Sequence, residues 1–222
     1  MTRAWFVAGT DTEIGKTFVT CALLHAAQRE GLRAVAMKPI AAGADEIDDE
    51  WINEDAARLR AAGSFRPPLR DLNPVCLRAA IAPHIAAEEE GVRIDSAPIV
   101  AALARLKADA EVVLVEGVGG FCVPLGPDHD TADLAVALAL PVILVVGLRL
   151  GCINHALLTA EAIRARGLTL AGWVANQVDP QMLRVEENIA ALDQRLGAPR
   201  LGRIGVVASG DPATVTGLKL PR

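Results

Sequence analysis

Six short apolar runs punctuate the chain, at residues 5–8, 34–37, 112–115, 142–146, 170–175 and 201–207, and segments of helical spacing separate most of them. Regular alternation of strand and helix predicts a mainly parallel sheet, because parallel neighbours need a crossover between them. The runs at 112–115 and 142–146 are apolar at every position, as strands covered on both faces tend to be. The expected fold is therefore a doubly wound α/β sheet. With 222 residues, no linker and no internal repeat, it should form one domain over 1–222. The segment 41–110 is less regular. Helices are predicted there over 52–62 and 99–108, and Pro67-Pro68 marks a loop. Asp45, Glu46, Asp48, Asp49 and Glu50 read as a solvated acidic loop rather than a metal site, and Glu88, Glu89 and Glu90 read the same way.

In such folds ligands sit beyond the carboxyl ends of the strands, and here each apolar run is followed there by polar residues or glycine. Lys38 follows the second run, Glu116 to Gly120 the third, Gly147 to Asn154 the fourth and Asn176 the fifth. The first run leads into G-T-D-T-E-I-G-K-T at Gly9 to Thr17, and an apolar-periodic stretch over 18–27 comes next. This is a phosphate loop between strand and helix. Its backbone N–H groups and the helix N-terminus favour phosphate oxygens, Lys16 neutralises the terminal phosphates, and the Thr17 hydroxyl suits magnesium. Five residues separate Gly9 from Gly15, one more than the usual loop has, so the loop is a variant.

Composition narrows the partners. A net charge of -5, 3% aromatic residues and no tyrosine argue against nucleic acid. Cys21, Cys76, Cys122 and Cys152 form no C-x-x-C pair, which argues against zinc and against a disulfide framework. The longest apolar run, 134–148, is interrupted by Pro141 and too short to span a membrane, and Met1-Thr2-Arg3 opens directly onto the first strand. A soluble cytoplasmic protein with no membrane partner is expected. Only four of the 22 basic residues are lysines, and two of these, Lys16 and Lys38, lie at strand ends. Such placement suits a compact ammonium acting on phosphate or another small anion. Glu116, closing a buried strand before a glycine-rich turn, stands where nucleotide-using enzymes keep a carboxylate for magnesium. Asp55 alone reads as a first-turn acid favoured by the helix dipole.

Taken together, G-T-D-T-E-I-G-K-T, K-P at Lys38-Pro39, E-G-V-G-G at Glu116 to Gly120, the Pro141 to Ala156 segment and L-T-L-A-G-W-V-A-N at Leu168 to Asn176 resemble the dethiobiotin synthetase family. The resemblance runs up to about residue 201, and Gly151 to His155 is its most discriminating part. It implies an ATP- and magnesium-dependent ligase that joins CO2 to 7,8-diaminononanoate and closes a ureido ring, releasing ADP and phosphate. It also implies a homodimer with a shared substrate site.

Carried onto this chain, the resemblance gives Lys16 and Lys38 the catalytic roles, Lys16 at the β/γ-phosphates and Lys38 at the carbamate. Thr17, Asp55 and Glu116 would position magnesium directly or through water. Thr12, Glu13, Ile14, Gly15 and Phe18 would complete the ATP loop, and Gly117, Val118 and Gly119 would line its phosphate and substrate side. Asn176 would read the adenine edge, with Gln177, Gly205, Val206 and Val207 beside it. Ala42 would face substrate, while Leu150, Gly151, Cys152 and Asn154 would meet the substrate carboxylate of the neighbouring subunit. Three positions depart from the family pattern: Ala42 and Ala82, where serine is frequent, and Gly205, where proline is usual. Two other activities share such a loop, an amidoligase of the cobyrinate type and a nucleotide-switch or partitioning ATPase.

Overall fold

A computed structural model describes residues 2–48 and 50–222; Met1 and Asp49, the latter one of the acidic cluster, lie outside the described residues. The first half of the chain runs β1 (Arg3–Gly9), α1 (Lys16–Arg29), β2 (Ala34–Met37), β3 (Ile40–Ala42), β4 (Ala44–Ile47), β5 (Glu50–Asn53), α2 (Glu54–Ala62), α3 (Leu69–Leu72), β6 (Val75–Leu77) and α4 (Pro83–Glu89). The second half runs α5 (Ser96–Asp109), β7 (Val112–Glu116), α6 (Thr131–Leu138), β8 (Val142–Leu148), α7 (Cys152–Ala165), β9 (Leu170–Gln177), α8 (Val185–Arg195) and β10 (Arg200–Ile204). A single 3-10 turn comes last, at Pro212–Thr214.

Six strands form the central sheet in the order β10-β9-β8-β1-β7-β2, and every neighbouring pair is parallel. Strand periodicity sends alternate side chains to opposite faces. In β1, Phe6 and Ala8 join one core, with α5, α6, α7 and α8, while Trp5 and Val7 join the other, with α1, α2 and the C-terminal residues Val215, Leu218 and Leu220. Both faces are thus covered, as the continuous apolar runs predicted.

Side-chain parity along β7 decides where its last carboxylate goes. Val112 and Leu114 point to the α1 side, so Glu116 points there too, toward the helix that starts at Lys16. Register sets Val7 opposite Glu116 and Met37 opposite Val115, which brings Lys38 level with the end of β7.

Three sequence expectations change. The helix expected over 52–62 starts at Glu54, because Ile52 and Asn53 belong to β5 and Asn53 caps the helix. The acidic segment is an antiparallel hairpin, β4 against β5, with Asp45, Glu46, Asp48 and Glu50 exposed; it is solvated as expected but paired rather than a loop. The last strand stops at Ile204 instead of reaching Val207, because Gly205 and Val206 turn out to solvent past the sheet edge.

Close backbone approach explains one glycine in the sheet. A Cβ on Gly172 in β9 would lie 2.7 Å from Leu201 side-chain atoms and 2.9 Å from the Pro199 carbonyl oxygen. Gly172→Ala should therefore destabilise the fold by about 1–3 kcal/mol, the usual range for overpacking. A urea midpoint equal to that of the parent protein would show that the β9–β10 contact yields freely.

Candidate functional site

The loop after β1 folds back onto its own helix. Gly15 caps α1 in the left-handed region (φ 76), and a Cβ there would overlap the Asn176 amide. A Cβ on Gly9 would lie 2.8 Å from Lys16 Cδ, so Gly9 makes room for the lysine stem. Ile14 is 1% exposed and packs over Gly147 of β8, anchoring the loop and leaving only its main chain to face a ligand. Asn176 Nδ2 donates to Ile14 O at 2.8 Å, tying the loop to the end of β9. Asp11 pairs with Arg149 at the end of β8. The first N–H groups of α1 have no intrahelical acceptor, and Gly15, Lys16, Thr17 and Phe18 border an open cleft.

That cleft holds about 680 Å³ and runs between the loop, β3, the start of α2, the approach to α4 and the turn after β7. At its base lies a buried ionic cluster. Glu116 is fully buried. Its Oε1 accepts from Lys38 Nζ at 2.7 Å and from the Thr17 hydroxyl at 2.7 Å, while Oε2 has no partner. Lys38 Nζ also donates to Asp55 Oδ2 at 3.0 Å and to Gly117 O at 3.3 Å. Burial opposes charge on Lys38, but Glu116 and Asp55 outweigh it and hold its pKa above the ordinary value. Burial likewise raises the Asp55 pKa, yet the Lys38 ammonium prevails and keeps it below the ordinary range. Lys38 and Asp55 thus stabilise each other's charged forms.

Lys16 differs. It is 7% exposed, and its ammonium donates to a neutral group, Asp11 O, at 3.2 Å. Burial, with the nearby Lys38 charge adding to it, pulls its pKa down to about 8, against smaller opposing effects of Glu116, Asp55 and Asp11. A buried cation so placed is poorly compensated, and an anion in the cleft would correct that.

Among the described residues no three His, Cys, Asp or Glu side chains converge as a metal-binding group. Magnesium asks less of the protein, since it keeps several waters and uses one or two carboxylates plus phosphate oxygens. The unpartnered Glu116 Oε2, the Thr17 hydroxyl and the Asp55 carboxylate are hard oxygen donors of that kind, and they fit.

Other expected residues fall into place around this centre. Thr12, Glu13, Val118, Gly119 and Ala42 line the cleft. Gly117 lies beneath it, contributing its carbonyl to Lys38, and a Cβ there would lie 3.0 Å from Phe6 Cζ. Gln177 and Gly205 to Val207 extend from the paired ends of β9 and β10, where Asn176 stands opposite Ile204. Leu150, Gly151, Cys152 and Asn154 do not border the cleft of their own chain. Leu150 is 94% exposed, whereas the Cys152 thiol is buried in the core, so only the main chain of Cys152 could meet a ligand.

Sequence reading passed over three residues. Asn73 donates to Lys38 O at 2.7 Å and to Val75 O at 3.0 Å, fixing the backbone that aims Lys38. Asn53 caps α2, and Arg58 borders the cleft one turn beyond Asp55. The Asn53-Glu54-Asp55 order is an N-cap signature that could have flagged Asn53; nothing local marks Asn73.

The family model described as an AAA domain matches residues 3–214. The ATP-dependent dethiobiotin synthetase BioD of Aromatoleum aromaticum is 67% identical over 220 residues, 99% of this chain and 98% of the relative. That of Xanthomonas axonopodis pv. citri is 56% identical over the same shares. Among solved structures, the septum site-determining protein MinD with Mg-ADP from Pyrococcus horikoshii aligns over 96% of this chain and 88% of its own, with TM-score 0.59 and 20% identity. A ParA family ATPase from Chlorobium tepidum aligns over 96% and 92%, with TM-score 0.58 and 10% identity. These two likenesses establish a shared fold.

The Lys16 environment has a measurable consequence. Below pH 8 its burial penalty is present in full; between 8 and 10.5 the folded state releases the proton that the unfolded chain keeps, so stability rises with pH. Lys16→Met should therefore be more stable than the parent at neutral pH by up to about 3 kcal/mol, the size of a fall from 10.5 to about 8. That advantage should fade by pH 10.5. Denaturation curves across pH 7–10.5 with a constant difference would remove Lys16 as the cause.

Proposed function

This chain belongs to the ATP-dependent dethiobiotin synthetase family, and from that premise we propose how its cleft carries out the ligation. It is an ATP-dependent ligase of biotin synthesis. Its substrates in our reading are 7,8-diaminononanoate, CO2 and ATP, handled by residues 1–222 acting as one domain. One observation carries the assignment of the cleft: a poorly compensated buried cation, Lys16, stands beside the Lys38–Glu116–Asp55 ion-pair cluster.

ATP binds with its β/γ-phosphates against Lys16 and the loop amides from Thr12 to Phe18. Asn176 has its Nδ2 engaged on the loop, so its carbonyl oxygen is the atom left to meet the adenine amino group, near Gln177 and Gly205 to Val207. Thr17, Asp55 and Glu116 hold magnesium, which when bound neutralises charge on the phosphate oxygens. The diamine lies along the wall formed by Ala42, Ala82, Pro83, Val118 and Val123, whose apolar lining suits an alkyl chain.

One substrate amine adds to CO2 and loses a proton, giving a carbamate. Lys38 holds its charge throughout and faces the carbamate oxygens and the transferring phosphoryl group. The carbamate oxygen takes the γ-phosphoryl group with loss of ADP; the second amine then attacks the carbamoyl carbon, releasing a proton, expelling phosphate and closing the ureido ring. Positioning and charge neutralisation do most of the work, as in other phosphoryl transfers. With Ala42 and Ala82 in place of hydroxyls, Lys38 carries the carbamate without side-chain help from that wall.

Incubation with diaminononanoate, bicarbonate, magnesium and ATP should yield a ureido product by mass, and a folded protein that binds ATP without forming it would sink the reading. Lys38→Gln should lower kcat about a hundredfold or more while the ATP affinity changes little, because Lys16 and the loop amides remain. Near-normal turnover at saturating diamine would reduce Lys38 to a structural ion-pair partner.

The exposed Leu150 and the N-terminal turn of α7 form the segment offered to a second subunit in a homodimer, which we place in the cytoplasm, where ATP is made available. No described helix is long and apolar enough to cross a membrane. Light scattering should report a dimer under assay conditions, and Leu150→Asp should raise the KM for diaminononanoate. An active monomer would eliminate the shared site.

A further inference from the structure

The two walls of the cleft come from different parts of the chain. The Ala42–Gly43 turn ends β3, and Asp55 lies in the first turn of α2. The β4–β5 ladder, which sets Ala44 opposite Asn53, links them through the main chain, and one buried side chain adds a direct tie to the turn itself. Asn53 is 7% exposed; its Oδ1 accepts from Asp55 N at 3.0 Å and Ala56 N at 3.3 Å, capping α2. Its Nδ2 donates to Gly43 O at 2.6 Å and Ala42 O at 3.3 Å. The opposite amide orientation would set donor against donor and oxygen against oxygen at all four contacts, so the network admits a single orientation.

We propose that Asn53 is a positioning residue that fastens the diamine-facing Ala42–Gly43 turn to the Asp55 helix, so that the substrate wall and the magnesium-side carboxylate keep a fixed spacing. The role assigned to that spacing rests on the cleft being the site of diamine ligation. The polar capacity of the side chain is spent on protein groups: two bonds accepted, two donated. Asn53 therefore acts through its neighbours although it borders the cleft. On its far side the turn has no freedom to compensate. Gly43 is left-handed (φ 83), a Cβ on it would lie 3.0 Å from Ala80 Cβ, and Ala44 N donates to Arg78 O at 3.1 Å. The tether thus holds Ala42 and Gly43 from the α2 side, just before the β4–β5 ladder begins at Ala44.

Two substitutions separate the halves of the network. Asn53→Ser keeps a helix-capping oxygen but is too short and has no amide to reach Gly43 O; Asn53→Ala loses cap and tether together. The serine variant should raise the KM for diaminononanoate about tenfold, the scale of one lost hydrogen bond, with the KM for ATP and the magnesium requirement within about twofold of the parent. In the ligand-free protein it should speed amide hydrogen exchange over residues 42–44 while leaving α2 protected. The alanine variant should add a higher magnesium requirement and faster exchange at the start of α2. A serine variant with parental diamine KM and parental exchange over 42–44 would overturn the proposal, even if the alanine variant failed to fold. Exchange needs no turnover, so a wild-type protein that made no ureido product would refute the ligase activity and leave the tether to be judged on exchange alone.

Discussion

Burial of Glu116 is the constraint around which the site is built. A carboxylate taken wholly out of water is costly by several kcal/mol unless charge and hydrogen bonds replace the solvent. Lys38 and Thr17 supply both, and they arrive from different elements: Lys38 from the end of β2, beside β7, and Thr17 from the first turn of α1, above it. Asp55, brought in by α2, balances the second direction of the Lys38 ammonium. Strand order, helix start and α2 placement must therefore all be right before the cluster exists. Its stability contribution is secondary, since buried ion pairs often do no better than apolar packing. What it gives is a charge arrangement fixed before any ligand enters, which is the preorganisation phosphoryl chemistry uses.

Small residues let that arrangement sit close to the backbone. Gly9 yields space to the Lys16 stem, Gly15 to Asn176, and Gly147 to Ile14. The loop is consequently gripped on three sides, by β8, by β9 and by its own helix. Rigid loop amides are a condition for holding phosphates without reorganisation. Ala42 and Ala82 act in the opposite sense, by what they omit: both line the cleft and neither brings a hydroxyl, so that wall is apolar and polarity is concentrated at the lysine–carboxylate base.

MinD and ParA share this scaffold at 20% and 10% identity. A parallel sheet with a phosphate loop therefore does not by itself decide between a nucleotide switch and a ligase. The synthetase relatives at 67% and 56% identity decide for the ligase. The apolar wall beside the phosphate site gives that assignment a physical setting, a place where an alkyl diamine can lie next to a transferring phosphoryl group.

The sequence by itself determined the six strands of the main sheet, because continuous apolar runs between helical segments leave little choice of state. It also determined that Lys16, Lys38, Glu116 and Asn176 would share one rim, since in a parallel sheet every residue after a strand ends on the same side. It misjudged features whose pairing is set at a distance. The acidic segment became a hairpin through the β4–β5 ladder, and the last strand ended at Ile204, where Gly205 and Val206 turn out to solvent. Only tertiary structure decided that Lys38 lies between Glu116 and Asp55, that Asn73 and Asn53 fix the backbone around them, and that the Cys152 thiol belongs to the core. Those are contacts between residues far apart in the chain or hydrogen bonds to main-chain atoms, neither of which leaves a periodic trace in the sequence.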